Sequence, residues 1–378
     1  MRIALVTENF LPKLDGVTRT LAMLLEHLHA RGHAALVLGP RGSPRRYAGA
    51  RIYGAPGLPL PFYPELRALL PSPGLDRRLA RFRPDIIHVA EPMLLGAMGI
   101  VWAQRLGIPL ISSYHTNLAA YCSYFRLGML ETPVWAYRRM LHNACDATLC
   151  PSPSTARELR GQGFERVDHW PRGVDATLFH PARRSLAWRR QITGDERRPI
   201  ALSVGRLSHE KNLAVLIEAW NARQGRDAHL VVVGDGPARG DLERALAGPS
   251  VTFTGYLRGE ALAEVYASAD LFVFPSLTET FGQVALEAMA SGLAVLGFDA
   301  DGVRDLVRDG ETGLLAPVGE QATFAQMFSQ LMGEPQLRAR LGLRARAAAE
   351  QRAWAGVMDG LLDAYERIIE AHAERQAA

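Results

Sequence analysis

Short apolar runs alternate with amphipathic stretches along most of the chain, and that alternation predicts strands separated by helices. Residues 2–7 form an apolar run, Ile3-Ala4-Leu5-Val6 at its centre, that gives way to polar Glu8 and Asn9. Val17 to Ala30 carries apolar residues at 17, 21, 24, 25 and 28, the spacing of a helix with one buried face. Gly32 ends that helix, and Ala34 to Leu38 reads as the next strand. Residues 39–74 are rich in Pro and Gly, with one strand expected near Ile52. Further strands are expected at 85–89, 109–113 and 147–150, and helices at 75–82, 94–106, 130–144 and 154–161. The second half repeats the rhythm. Strands fit 200–204, 229–233, 251–253, 271–274 and 294–298, and helices fit 212–222, 239–247, 260–268 and 283–290. Strands this apolar, with helices between them, imply parallel sheets covered on both faces.

The rhythm breaks at 171–199, where Pro171, Gly173, Pro181 and Pro199 flank a charge-rich stretch. The expected organisation is therefore a domain over 1–180, a second over 181–355 and a C-terminal helix over 356–378. The pattern from 321 onward is helical, and its last stripe is Met358, Leu361, Leu362, Tyr365 and Ile368. That stripe needs a surface: it could close the second domain or cross back to the first.

Composition narrows the class. Of 378 residues, 48% are hydrophobic and 22% charged, which excludes a disordered or fibrous chain. Cys122, Cys145 and Cys150 make neither a disulfide framework nor a CxxC pair. No run reaches the length of a membrane span, and the start has no signal-peptide pattern, so a cytoplasmic protein is expected. Charge is uneven: residues 1–178 hold 21 Lys and Arg against 13 Asp and Glu, a net of +8 in a chain of net +4. Such a basic half suits a phosphorylated ligand or an anionic membrane surface, or else reflects solvated arginines. With no recognition helix or basic-aromatic repeat, nucleic acid is set aside as a partner.

Two parallel α/β domains place ligand sites at the C-terminal ends of strands. No GxGxxG follows the first strand and no GxxxxGK[ST] occurs, which lowers the dinucleotide and P-loop readings. Gly205-Arg206-Leu207-Ser208-His209-Glu210-Lys211 leaves a strand and enters a helix, putting two cations beside free helix-terminal amides. A diphosphate would suit both. Gly234-Asp235-Gly236-Pro237 is a second strand-to-helix glycine turn, suited to close backbone approach or simply to a tight turn. Pro275 to Gly292 runs from a strand end through Glu279, Phe281 and Gly282 into a helix bearing Glu287, and Phe281, Gly282 and Gln283 should present backbone N–H groups. Their unlike settings give the two glutamates different duties: one carboxylate for sugar hydroxyls, the other for ribose, or structural caps. His115 follows a strand, where a neutral imidazole can meet a ligand, exchange a proton or serve the core. His88 with Glu91 straddles a strand end, and Asp299 with Asp301 has no third ligand, so no metal is expected.

Together these motifs resemble the retaining, nucleotide-sugar-dependent glycosyltransferases of the GT-B fold, the group 1 or family 4 type. The resemblance spans nearly the whole chain: PSLTETFGQVALEAMASG with its Glu279 and Glu287, VGRLSHEKN, VVGDGP, RGVDATLFHP at 172–181 and GVRDLVRDGETGLL at 302–315. DGVTR, FYPELR at 62–67, RFRPDIIH at 81–88, SSYHTN at 112–117 and LHNACDATLCPS at 141–152 resemble the lipid-directed branch. That branch includes sulfoquinovosyl-diacylglycerol synthases, diacylglycerol glycosyltransferases and phosphatidylinositol mannosyltransferases.

The resemblance implies two Rossmann-like parallel-sheet domains facing a central cleft, with acceptor on the first and nucleotide-sugar on the second. It implies Arg206 and Lys211 on the donor diphosphate, Glu287 on ribose and Glu279 on the transferred sugar. Phe281 and Gly282 would be backbone donors, and His115 would lie near the reacting carbon. Gly16, Gly205, Gly234 and Leu257 would complete the donor site. Where most relatives carry two adjacent glycines, this chain has Asp15-Gly16. The expected reaction moves a hexose from a UDP- or GDP-sugar to a membrane lipid, without a cofactor or metal, at the inner face of the cell membrane. The alternatives are a soluble sugar or polysaccharide acceptor, or a binding protein that kept the fold.

Overall fold

The chain divides into two units, Met1–Arg172 with Trp354–Ala378, and Gly173–Ala353. The structure, a computed structural model, describes residues 1–13, 16–60, 63–118, 128–222 and 227–377.

In unit 1 the strands are β1 (Arg2–Thr7), β2 (Ala34–Pro40), β3 (Arg46–Tyr47), β4 (Ala50–Ala55), β5 (Gly57–Leu60), β6 (Tyr63–Leu69), β7 (Ile86–Ala90), β8 (Leu110–Ser113), β9 (Ala147–Cys150) and β10 (Val167–His169). Among the described residues eight of them form one sheet in the order β10-β9-β8-β7-β1-β2-β4-β3, parallel except for β3 on β4, and β5 with β6 forms a separate hairpin. Alternation along a strand sends side chains to opposite faces. Ile3 and Leu5 of β1 join Leu21, Leu24, Val37 and Ile86 in one cluster, and Ala4 and Val6 join Leu36, Leu38, Val89 and Ile100 in another. The first cluster also takes in Trp354, Met358, Leu361, Leu362 and Tyr365 of the helix Trp354–Ala377. The C-terminal stripe thus packs on the first sheet, each large apolar side chain contributing roughly 1.5–3 kcal/mol. Cys145 and Cys150 are buried thiols, their pKa pushed up by burial to about 12 and about 11, which makes them inert.

In unit 2 the strands are β11 (Ile200–Val204), β12 (His229–Val233), β13 (Val251–Gly255), β14 (Leu271–Phe274), β15 (Val295–Phe298) and β16 (Gly313–Ala316). All are parallel, in the order β13-β12-β11-β14-β15-β16. Ile200, Leu202, Val231 and Val233 face one cluster, and Ala201, Leu230 and Val232 the other. The charge-rich stretch read as a boundary is itself structured: Ser185 caps the helix Leu186–Thr193, and buried Arg189 of that helix donates to Glu196 O (2.6 Å), Arg198 O (2.7 Å) and Asp270 (2.9 Å).

The strand order reverses direction once in each parallel sheet. In unit 2 the switch lies between β11 and β14, in unit 1 between β1 and β7. Loops leaving the C-terminal ends of two such strands part in opposite directions and leave a crevice.

Candidate active site

At the switch point of unit 2, the loops after β11 and β14 are neighbours. Lys211 Nζ donates to Glu279 Oε1 at 2.6 Å, and Ser276 Oγ donates to the same oxygen at 2.9 Å. Asn212 Nδ2 donates to Pro275 O at 3.1 Å, tying the two loops through the backbone as well. Burial pushes the Glu279 carboxyl up, but the Lys211 charge and the Lys211 and Ser276 hydrogen bonds outweigh it and hold the pKa below the usual carboxylate range. The pair is an ion pair with a dry side, two unlike charges at one spot.

Glycines let these loops approach each other. A Cβ on Gly234, at φ 135°, would lie 1.9 Å from Gly205 O, so the turn after β12 presses on the turn after β11. Leu207 N donates to Asp235 O (2.9 Å), as does Tyr256 Oη (3.0 Å), and Leu257 packs half-buried at the edge of one core cluster. On the other side, a Cβ on Gly302, at φ 81°, would lie 2.3 Å from Glu279 O. The side chain of Phe281 is buried in the core, so what it can offer a ligand is backbone. Gly282, at φ 88°, starts the helix Gln283–Ala290, which no side chain caps. Glu287 is buried in that helix, with Tyr266 Oη 3.3 Å from its Oε2. Arg206 is half-buried in the same loop cluster, between Gly205 and Leu207. Arg206, Lys211, Glu279, Gly205, Gly234, Phe281 and Gly282 thus gather at one end of one sheet, with Glu287 a turn behind. Cations and helix-terminal amides at a crevice can hold a diphosphate and stabilise charge that develops on it.

At the switch point of unit 1, Glu8 follows β1 and Glu91 follows β7. Glu8 accepts from Leu69 N (2.8 Å) and Gly96 N (3.0 Å), and burial raises its pKa to about 6 against those bonds. Glu91 accepts from His115 N (2.8 Å) and Thr116 N (2.7 Å) and pairs with buried Arg138, whose guanidinium lies 4.4 Å from the centre of the Tyr114 ring. Between them lies a cavity of about 230 Å³, with Phe10, Val17, Met93 and Leu118 as apolar wall and Lys13, Arg41 and Arg67 as basic lining.

His115 is buried, and both ring nitrogens have protein partners: Nε2 with Ser113 Oγ (2.7 Å) and Nδ1 with Arg172 Nη2 (2.8 Å). Gly16 opens the helix Gly16–Ala30 with open space where a Cβ would go. Arg172 and Ser113 lie in quoted motifs and Tyr365 in the C-terminal apolar stripe, but nothing in those patterns shows that they meet, and Arg138 lies in none of them; the available signal was His88, a histidine inside the buried run of β7.

Other expectations shift. Tyr114 and Trp135 are buried, Trp135 against Phe164. Asp299 and Asp301 face Arg304, at 3.1 and 4.0 Å. Asp15 of the DGVTR turn, Phe62, Tyr121, Cys122, Tyr124 and Phe125 lie outside the described residues.

Comparison with known proteins covers both units. The family described as Glycosyltransferase Family 4 matches residues 14–178, and the family described as Glycosyl transferases group 1 matches residues 185–348. The chain is 40% identical to a GDP-mannose-dependent alpha-mannosyltransferase of Mycolicibacterium smegmatis, over 98% of each chain. It is 30% identical to an alpha-monoglucosyldiacylglycerol synthase of Streptococcus pneumoniae, over 89% of this chain and 80% of that one. Among solved structures, HepE of Anabaena in complex with UDP aligns with a TM-score of 0.79 at 19% identity, over 97% of this chain and 100% of that one.

Proposed function

The chain belongs to the family 4, group 1 glycosyltransferases and is a nucleotide-sugar-dependent enzyme of that family, and from this we propose that it transfers mannose from GDP-mannose to a membrane lipid. The observation that carries the donor is the 40% identity, end to end, with a GDP-mannose-dependent enzyme. The acceptor rests on the likeness to a diacylglycerol glycoside synthase and on the cavity of unit 1. Apolar Phe10, Val17, Met93 and Leu118 beside Lys13, Arg41 and Arg67 suit an amphiphile, with a chain on one side and a polar head on the other.

In this reading Arg206 and Lys211 take the diphosphate, and the uncapped start of the helix Gln283–Ala290 supplies amides. As the glycosidic bond to the phosphate lengthens, negative charge grows on the departing nucleoside diphosphate, where fixed cations and amides gain most. Glu279 turns one oxygen to Lys211 and Ser276, which leaves the other as an acceptor for a sugar hydroxyl. Glu287 takes the ribose. Retention, as the family resemblance implies, gives an α-mannoside.

The test is turnover with a panel of UDP- and GDP-sugars and a total lipid extract, read by mass spectrometry of the lipid fraction. A hexose added to a lipid from GDP-mannose is the expected product. Turnover confined to UDP-sugars overturns the donor, and product found only on water-soluble acceptors overturns the lipid.

A further inference from the structure

Inside the apolar sheet of unit 1 runs an unbroken chain of polar side chains. Tyr365 Oη lies 2.6 Å from His88 Nδ1, and His88 Nε2 lies 2.7 Å from Ser113 Oγ. Ser113 Oγ lies 2.7 Å from His115 Nε2, and His115 Nδ1 lies 2.8 Å from Arg172 Nη2. All five residues are buried. The chain starts on the helix Trp354–Ala377, crosses β7 and β8, and ends just beyond β10.

The chemistry of its Arg172 end gives it a direction. A guanidinium has only donors. Arg172 therefore donates to His115 Nδ1, which must be unprotonated, and the proton of His115 sits on Nε2 and points at Ser113. Among the described residues, the Ser113 hydroxyl hydrogen then has one acceptor, His88 Nε2. That leaves the His88 proton on Nδ1, donated to Tyr365 Oη. Both imidazoles are neutral: burial first, then the Arg172 charge, holds their pKa values far down, to about 3 for His88. Arg138, His142 and the Glu91 carboxylate also surround His115, and Trp170 meets its ring edge-on at 6.0 Å.

We infer that this chain is a positioning device: Arg172 fixes His115 as the neutral Nε2–H tautomer, with its lone pair spent on the guanidinium, and Ser113, His88 and Tyr365 hold the ring in place through that Nε2–H. His115 then contributes orientation and shape to the site edge, and exchanges no proton. Tyr365 acts on that edge from a helix that follows the whole of unit 2 in the sequence. The inference rests on the reading that His115 borders the transferred sugar, but its first test does not.

That test is the tautomeric state of ¹⁵N-labelled histidines in the full-length chain at neutral pH, with no substrate present and with His115 assigned by the signal lost in His115→Gln. A neutral, Nε2-protonated His115 is expected; an imidazolium or an Nδ1–H tautomer overturns the inference. The second arm is Tyr365→Phe, which keeps the packed ring and removes only the hydroxyl, with Ser113→Ala breaking the chain in its middle. Both should mix the tautomers of His88, while His115, held by Arg172, stays Nε2-protonated. Both should lower kcat roughly 5- to 10-fold, about the worth of one hydrogen bond, with donor KM within about twofold. A fall in thermal midpoint with unchanged tautomers and unchanged kcat would mean a merely structural chain and would sink the proposal. If GDP-mannose fails as donor, the tautomer arm still decides the chain, so the two failures are separable.

Discussion

The pairing of Lys211 with Glu279 governs what happens when either is removed. Lys211→Ala deletes the cation and leaves a partly buried carboxylate facing the phosphate position, so attraction turns into repulsion. Turnover should fall about 10²-fold or more, and binding of free nucleoside diphosphate, followed by calorimetry, should weaken with it. Glu279→Gln keeps an amide oxygen for Lys211 and Ser276 but frees the cation's full charge. It should bind the diphosphate at least as well while losing turnover; equal loss of binding in both variants would contradict the arrangement. A different measurement addresses the buried histidines. His88, His115 and His142 all have depressed folded-state pKa values, while the unfolded chain takes up protons near 6.5. Their contribution is therefore complete above pH 6.5 and is lost as pH falls, for His88 down to about 3. Each proton steepens the loss by about 1.4 kcal/mol per pH unit. His88→Gln should flatten the pH slope of the unit 1 urea transition below pH 6.5 by that amount, and an unchanged slope would mean that His88 is charged in the fold.

Elements with sharp punctuation were legible from sequence. The helices Leu75–Phe82, Leu94–Leu106 and Gln283–Ala290 have the expected bounds because each is bracketed by a glycine or a charged break, Gly74, Gly107 and Gly282 among them. The strands β1, β9, β11, β12 and β14 were as plain, β14 being wholly apolar and each of the others holding at most two polar residues. The hairpin β5–β6 was not: Pro59 and Pro64 interrupt it, and a hairpin outside the main sheet has no buried face on each side to impose a pattern. The helix Leu186–Thr193 hid in a charged stretch because Arg189 is held by tertiary partners that a local reading cannot weigh. The site was legible as motifs and illegible as contacts. Lys211 and Glu279 are 68 residues apart, and only the adjacency of β11 and β14 joins them. The loop contacts make a prediction at this scale. Gly234→Ala puts a methyl into Gly205 O at a φ that alanine resists, so the turn after β12 must retreat. The strain is on the order of 1–3 kcal/mol, and diphosphate affinity should drop although the residue has no side chain to touch a ligand. Wild-type affinity in that variant would show that the turn is not part of the site.

Over the whole molecule, charge and exposed apolar groups gather on unit 1. Arg41, Arg45, Arg46, Arg77, Arg78, Arg81 and Arg83 are all exposed. Met129 is 86% and Met140 59% exposed, with Leu130 and Tyr137 also open to solvent. Among the described residues no helix is long and apolar enough to cross a membrane. Basic residues near an anionic leaflet contribute about 1 kcal/mol each, and exposed methionines can enter the interface. Co-sedimentation with vesicles should rise with anionic lipid, fall with salt, and weaken in Met129→Ser with Met140→Ser. Protein left in the supernatant at low salt would favour a soluble acceptor. The return of the helix Trp354–Ala377 to unit 1 also sets a timetable for synthesis. Gly173–Ala353 is continuous in sequence, so unit 2 can close as soon as it clears the ribosome. Unit 1, whose sheet is translated first, must wait with the part of one apolar face that the helix Gly16–Ala30 leaves open until Met358, Leu361 and Tyr365 emerge, the whole of unit 2 later. The half of the molecule that is made first is the half that finishes last, and until then its open face is the one a chaperone would hold.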